Sequence, residues 1–226
     1  GRSRRAWADR AGTVNQAEFI DLHPRLFHMA AEGVWPSIQS HGLLSTTAVL
    51  DVAGVDGDER VRLEQCRRLE NVTLVTDVGG FTLRDQKPLN EAKLQRCLVD
   101  MTVAEWLRML NGKVFLWPTR ERCEQLLNAK AYRGHAHTII EFDTARLLER
   151  CDVTVSPINS GAVLYNPPRR GSFTFTAVDR FPEDQYRKRG RRRMIAEVAV
   201  DYAIPDAADS VTRVWRAGVD EWVRIY

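Results

Sequence analysis

Apolar residues recur at helical spacing through the first half of the chain and at alternating, strand-like spacing through much of the second. VNQAEFIDLHPR (14–25) reads as a lead-in helix stopped by Pro24, and LFHM (26–29) as a short strand. Val34, Trp35 and Ile38 predict a helix from Glu32 or Gly33 to His41, with Gly42 where an αL cap belongs. Beyond it GLLSTTAVLDVAG is an extended piece or a further helix, for which Ser45 or Thr46 is the N-cap. DERVRLEQCRRLEN (58–71) is a charged amphipathic helix, and NVTLVTD and GGFTLRDQ form a hairpin around Gly79 and Gly80. NEAKLQRCLV and TVAEWLRML are helical, and KVFLW is a strand ended by Pro118. TRERCEQLLNAKAYRG predicts a helix from its N-cap Thr119 to Gly134.

The second half brings a strand, HTIIEFD (137–143), and a short helix, TARLLERC. Strand-like pieces follow in VTVSPIN, SGAVLYN and GSFTFTAVDRF. MIAEVAVDYAIPDA (194–207) alternates almost without a break, and VTRVWRAG with EWVRIY closes as a hairpin. Helices first and strands later, with no internal repeat, predict an α+β fold rather than a doubly wound sheet. At 226 residues and 44% hydrophobic composition, one domain over 1–226 has enough apolar material for a real core.

The alternating strand raises the first chemical question. Glu197 shares a face with Ile195, Ala199 and Asp201, directly after six cations in RKRGRRR (187–193). A carboxylate there is either on a solvated face or in a cleft that holds a sugar hydroxyl or a cation. LRDQ (83–86) likewise puts Arg84 and Gln86 at a strand end, where they reach a pocket or close a salt-bridged turn. Charge sharpens this picture more than composition does. The net +3 hides +3 in residues 1–10, a flexible basic segment spanning 1–13, and +6 in 187–193, which leaves −6 elsewhere. Such a local run is either a solvated loop or a contact for an anionic partner.

Other chemistries find little support. There is no GxGxxG and no GxxxxGK[ST] phosphate loop. His135 and His137 lack a third ligand nearby in sequence, and no metal is expected. Cys66, Cys97, Cys123 and Cys151 contain no CxxC pair, so they read as reduced, mostly buried thiols of a cytoplasmic protein. No run approaches the ~20 apolar residues of a membrane helix, and no membrane partner is expected.

LFHMAAEGVWPSIQSHGLLST (26–46) resembles the opening motif of the ADP-ribosyltransferases of the DarT toxin type and of the related RNA 2′-phosphotransferases. There a histidine ends the first strand, and a helix with a Pro-Ser-Ile core closes on His-Gly-Leu-Leu. RRRMIAEVAVDYAIPD is similar to the later segment in which a basic turn leads into the strand bearing the catalytic glutamate. VFLWPTRERCEQLL is similar to the strand-and-helix block between them. The whole chain, TLRDQKPLN and SPINSGAVLYNPP included, is identified as a member of a bacterial family sharing these blocks. One departure stands out: Ala30 replaces the threonine of His-x-Thr.

The resemblance implies a split antiparallel β-sandwich core with peripheral helices. It also implies NAD as substrate, with ADP-ribose passed to a base of single-stranded DNA or, second, RNA. Glu197 is then the catalytic carboxylate that accepts from the ribose 2′-hydroxyl and offsets positive charge at the anomeric carbon. His28 holds a ribose hydroxyl, with Ser45 or Thr46 replacing the missing hydroxyl at Ala30. Trp117 stacks on nicotinamide, and Arg84 contacts the pyrophosphate or helps to activate the acceptor. Gln86, Asn159 and Tyr165 complete the pocket. Arg187, Lys188, Arg189, Arg191, Arg192 and Arg193 take the phosphate backbone. A toxin of this kind has an antitoxin partner. The alternatives are an NAD-using enzyme with a protein or small-molecule acceptor, and a catalytically silent nucleic-acid-binding module. RNA 2′-phosphotransfer ranks lower, since only Arg84 among the arginines that chemistry needs has motif support.

Overall fold

The computed structural model describes residues 15–226 except Val78, Pro88, Ala131, Leu164, Val219 and Asp220, with the side chains of Asp184 and Arg187 also left out. The basic segment 1–13 lies outside the described residues. The first half of the chain runs α1 (Gln16–Leu22), β1 (Arg25–Ala31), α2 (Trp35–His41), β2 (Leu43–Leu44), α3 (Thr46–Val52), α4 (Gly57–Gln65), β3 (Val72–Thr76), β4 (Gly79–Leu83), α5 (Glu91–Cys97), α6 (Val103–Asn111) and β5 (Lys113–Leu116). The second half runs α7 (Arg120–Leu127), β6 (His137–Asp143), α8 (Thr144–Leu148), β7 (Val153–Ser156), β8 (Thr176–Ala177), α9 (Glu183–Tyr186), β9 (Glu197–Asp201), β10 (Ala203–Ile204), β11 (Val211–Ala217) and β12 (Trp222–Arg224).

Polar caps start the helices where the sequence signals them. The Ser45 hydroxyl accepts from Ala48 N at 3.1 Å, and Thr119 accepts from Arg122 N at 3.3 Å. Thr102 and Glu105 close a reciprocal capping box. Each such cap stabilises its helix by about 1 kcal/mol. The helix expected over 58–71 ends at Gln65, because Cys66 turns extended and the chain leaves the helix there. The helix from Thr119 stops at Leu127, after which Tyr132 N bonds Ala129 O in a turn instead of continuing the helix.

Strands pair into two four-stranded antiparallel sheets, ordered β1-β6-β11-β12 and β5-β9-β7-β8, beside a β3-β4 hairpin and a short β2-β10 pair. The fold is α+β with antiparallel sheets, as the order of helices and strands implies. Leu26, Ile140, Phe142 and Val214 of the first sheet pack with Val114, Leu116, Val155 and Val198 of the second in one core cluster. Burying a side chain such as Leu116 contributes roughly 2 kcal/mol. Behind the first sheet, Phe27, Met29 and Ile139 pack on Cys123 and Leu127 of α7. Against the second, Trp106, Leu107 and Leu110 of α6 join Leu94 and Cys97 of α5.

Three strand expectations need correction. MIAEVAVDYAIPDA is two strands, not one: Glu197 opens β9, and Tyr202, at φ 66°, breaks the ladder before β10. β9 lies between β5 and β7, so residues 194–200 are buried on both faces despite their alternation. SGAVLYN forms no strand among its described residues; it leads into Pro167 and Pro168, which have no N–H to give a ladder. GSFTFTAVDRF contributes only the two residues of β8.

Gly42 is at φ 75°, ψ −179°, so it ends α2 without the αL geometry expected of it. A Cβ there would stand 2.7 Å from Ile204 O. Glycine is therefore required for β10 to pair with β2.

Candidate functional site

The two sheets meet and part at one point. Phe27 of β1 and Trp117, just past β5, exchange both backbone hydrogen bonds, at 3.0 and 2.7 Å. Beyond this joint each strand follows its own sheet, and a cavity of about 810 Å³ opens between them. That is within the ~300–1,000 Å³ usual for small-molecule sites. Its wall includes His28, Ala30, Ser45, Thr46, Arg84, Gln86, Trp117, Asn159 and Glu197. Residues distant in sequence converge there, and every expected NAD-site residue except Tyr165 is among them. Tyr165 is 93% exposed and does not line the cavity, because SGAVLYN runs over the surface instead of pairing as a strand.

His28 is half-buried, and its Nδ1 lies 2.8 Å from Phe115 O. A carbonyl only accepts, so Nδ1 carries the proton and Nε2 of the neutral ring is left as an acceptor. Burial brings the imidazole pKa down to about 4, opposed by the Phe115 bond and helped by the Arg84 charge. The ring is neutral near pH 7, suited to receive a hydroxyl and not to grip an anion.

Glu197 is 4% exposed and faces Ser156 across the β7–β9 ladder. Burial pushes its carboxyl up to about 7, against the pull of Ser160, Arg170 and Arg122. Ser160 N donates to Oε2 at 3.0 Å. The loop carrying Ser160 is held from both sides. Arg170, 1% exposed, donates to Ser160 O at 3.0 Å and stands 5.7 Å over the Trp106 ring. Arg189 donates to Pro157 O. The carboxylate therefore has a fixed donor on one oxygen, while the residue itself lines the cavity.

On another part of the wall, Arg68 is buried and Arg84 half-buried. Arg68 donates to Arg84 O and Asn111 Oδ1, and its Nη1 also takes Leu63 O, a carbonyl near the end of α4. Gln86 is less free than a pocket hydrogen-bonder would be: Oε1 accepts from Arg68 N and Nε2 reaches Asn111. Ser45 spends one lone pair on its helix cap and keeps its O–H to donate. Thr46 accepts weakly from Arg68 at 3.5 Å. Arg84 donates to Met29 O at 3.3 Å and lies 4.6 Å over the Tyr132 ring. Trp117 is half-buried at the joint, in the cluster that includes Phe27 and Leu126.

The basic run coils into two 3-10 turns, Arg187–Arg189 and Arg191–Arg193, directly before β9. The Arg187 side chain lies outside what the structure describes. Lys188, Arg189, Arg192 and Arg193 are exposed, and Arg191 pairs with Glu18 and, at 3.8 Å, with Glu183. The half-buried Arg122 links this run to the cavity, feeling Glu197 on one side and Arg189 and Arg193 on the other. All four cysteines are free, Cys97 and Cys123 buried and Cys66 exposed. His137 is buried with Nε2 donating to Tyr132 O, and no group of metal-ligating side chains occurs among the described residues. No helix among the described residues is long and apolar enough to cross a membrane.

Arg68, Asn111, Ser160 and Arg170 are the contributors the sequence hid. Arg68 sits in a run, CRRLEN, that looks like a solvated helix face. Arg170 follows two prolines in a stretch with no periodicity at all. No curated protein matches the chain significantly. Residues 24–211, from the start of β1 to the start of β11, match a family model and so take in every residue of the cavity wall: the chain belongs to the family of unknown function DUF7002.

Proposed function

We propose that the cavity binds NAD and that the protein transfers ADP-ribose to a base of a nucleic acid, single-stranded DNA ahead of RNA. One observation carries this reading. His28 and Glu197, 169 positions apart, face one cavity at the point where two antiparallel sheets split. The same arrangement supports an ADP-ribosyltransferase-like core for the fold.

In the reaction, the bond from the ribose C1′ to the nicotinamide nitrogen breaks and its electron pair leaves with nicotinamide. The acceptor atom gives a lone pair to C1′ and loses its proton to Glu197 or to solvent. The ionised Glu197 carboxylate accepts from the ribose 2′-hydroxyl and offsets charge building at C1′, held in place by Ser160 N. His28 Nε2 accepts from a second ribose hydroxyl, and Trp117 provides a face for the nicotinamide ring. With Ala30 in place of threonine, Ser45 is the hydroxyl donor on the wall, its O–H still free to point inward. Lys188, Arg192 and Arg193 lead a phosphate backbone to the mouth of the cavity. The toxin role and an antitoxin partner follow from the resemblance to DarT proteins.

The test is incubation with NAD labelled in its adenylate half, together with single-stranded DNA, single-stranded RNA or protein, for wild type and Glu197→Gln. Label in DNA that vanishes in the variant supports the reading. Label in no macromolecule, with no nicotinamide released, sinks it. Nicotinamide release without a labelled acceptor leaves an NAD glycohydrolase, and label in protein alone moves the acceptor to another class.

A further inference from the structure

Tyr202 holds a backbone conformation that its side chain disfavours. Its φ is 66°, in the left-handed region where a Cβ crowds the following carbonyl and glycine or asparagine is the usual occupant. Packing of the ring does not account for a tyrosine here, because Tyr202 is 49% exposed. Its polar contacts do. Tyr202 N donates to Gly112 O at 2.7 Å, Tyr202 O accepts from Ser45 N at 2.9 Å, and the phenol donates to Asp51 Oδ2 at 2.9 Å. Arg60 fixes the same carboxylate, donating to Oδ1 at 2.6 Å.

These bonds lie where the chain changes neighbours. Asp201 still pairs with Lys113 of β5, while Ala203 already pairs with Leu44 of β2. The left-handed residue between them turns the strand of Glu197 out of one ladder and into the other. Separate parts of the cavity wall meet at this turn. Ser45 and Thr46 stand at the start of α3, and Asn111 and Lys113 flank Gly112. Tyr202 does not itself line the cavity. It grips α3 at both ends, through Ser45 N before the first turn and Asp51 in the last. Strained residues persist only where the surrounding bonds overrule local preference, and such places cluster at functional sites.

We propose that Tyr202 is a positioning residue, a strained clamp that sets α3, and with it Ser45 and Thr46, against the strand of Glu197. The use made of Ser45 rests on the NAD reading, whereas the clamp rests on the hydrogen bonds alone.

Two measurements on the full chain test this, with Tyr202→Phe, Tyr202→Gly and Tyr202→Ala. The first is amide hydrogen exchange. Tyr202→Phe loses only the phenol bond, so exchange in α3 is expected to rise about tenfold while β6 exchanges as in wild type. The second is steady-state kinetics with NAD. KM is expected to rise about threefold in Tyr202→Phe and about tenfold in the other two, with kcat changed less, because Ser45 binds in ground and transition states alike. Tyr202→Gly should nonetheless melt about 2–4 °C above Tyr202→Ala, since glycine takes a positive φ without strain.

Wild-type exchange of α3 in Tyr202→Phe overturns the clamp, and so does a rise shared equally by β6, which is what general loosening gives. A wild-type KM in Tyr202→Gly, or a fall in kcat alone, overturns the positioning role. Tyr202→Gly melting at or below Tyr202→Ala overturns the strain. If circular dichroism shows that Tyr202→Gly and Tyr202→Ala misfold, exchange and KM in Tyr202→Phe decide. A wild type that turns over no NAD removes the transferase reading, and α3 exchange then decides the clamp by itself.

Discussion

At the β9 end of the cavity a carboxylate is buried, and at the end formed by the α4–β3 connection and β4 a guanidinium is. Glu197 answers burial by taking up a proton, its pKa raised to about 7 with one backbone donor and two distant cations pulling the other way. Arg68 remains charged, because its pKa falls only to about 10, and it spreads that charge over neutral acceptors. The same physical cost, desolvation, thus gives a group poised to titrate at one end and a permanent field at the other.

The largest expected effect breaks the carboxylate end. Glu197→Gln should lower ADP-ribose transfer by about a thousandfold, read as initial rates with labelled NAD. Activity of the wild type should rise with pH through about 7 as Glu197 ionises, and this limb should vanish in the variant. His28→Gln should raise the NAD KM by about tenfold with a smaller change in kcat, since the ring binds a hydroxyl in ground and transition states alike. On single-stranded DNA, Arg192→Ala/Arg193→Ala should cost about tenfold in rate at moderate salt and flatten the salt dependence by roughly two counterions. Unchanged rates from low to high salt would remove nucleic acid as the acceptor.

Arg170→Met makes a subtler test of the same end. Arg170 favours the ionised carboxylate, so its loss should move the activity limb to higher pH by about half a unit to one unit. A purely structural role would lower activity without moving that limb.

The smallest effect is on stability. A carboxyl whose folded pKa is raised stabilises the fold at low pH, and this is lost as pH climbs from about 4.5 through about 7. His28, depressed to about 4, acts oppositely: its contribution is present above about 6.5 and lost as pH falls toward 4. The two nearly cancel in the wild type. In Glu197→Gln the opposing limb is gone while His28, and with it the buried His23 and His137, still act, so urea midpoints should climb between pH 4 and pH 6.5 by an amount worth about 2 kcal/mol more than in wild type.

Local signals in the sequence were readable wherever one residue type had one physical meaning. Ser45 and Thr119 cap helices, and HTIIEFD is β6 to the residue. Glu197 and His28 stood out because a motif surrounds each. The bounds of β9 were not readable, since Met194, Ile195 and Ala196 are buried like the strand itself and Tyr202 breaks the ladder through its backbone. Tyr165 failed for a related reason: apolar residues in SGAVLYN cover α6 through Val163 without joining a sheet. Arg68 and Arg170 were hidden more deeply. What makes each unusual is a set of carbonyl partners scattered along the chain, and no window of sequence contains them.

Strand connectivity also sets when the site can exist. β9 is the shared partner of β5 and β7, and β1 pairs along its whole length with β6, more than a hundred residues further on. Closing such loops costs chain entropy before any contact repays it, so folding waits on late strands and is slow compared with a helical bundle of this size. A nascent chain that stops short of residue 197 has neither the carboxylate nor the strand that joins the second sheet. On the transferase reading, a fragment that ends before Glu197 therefore cannot consume NAD.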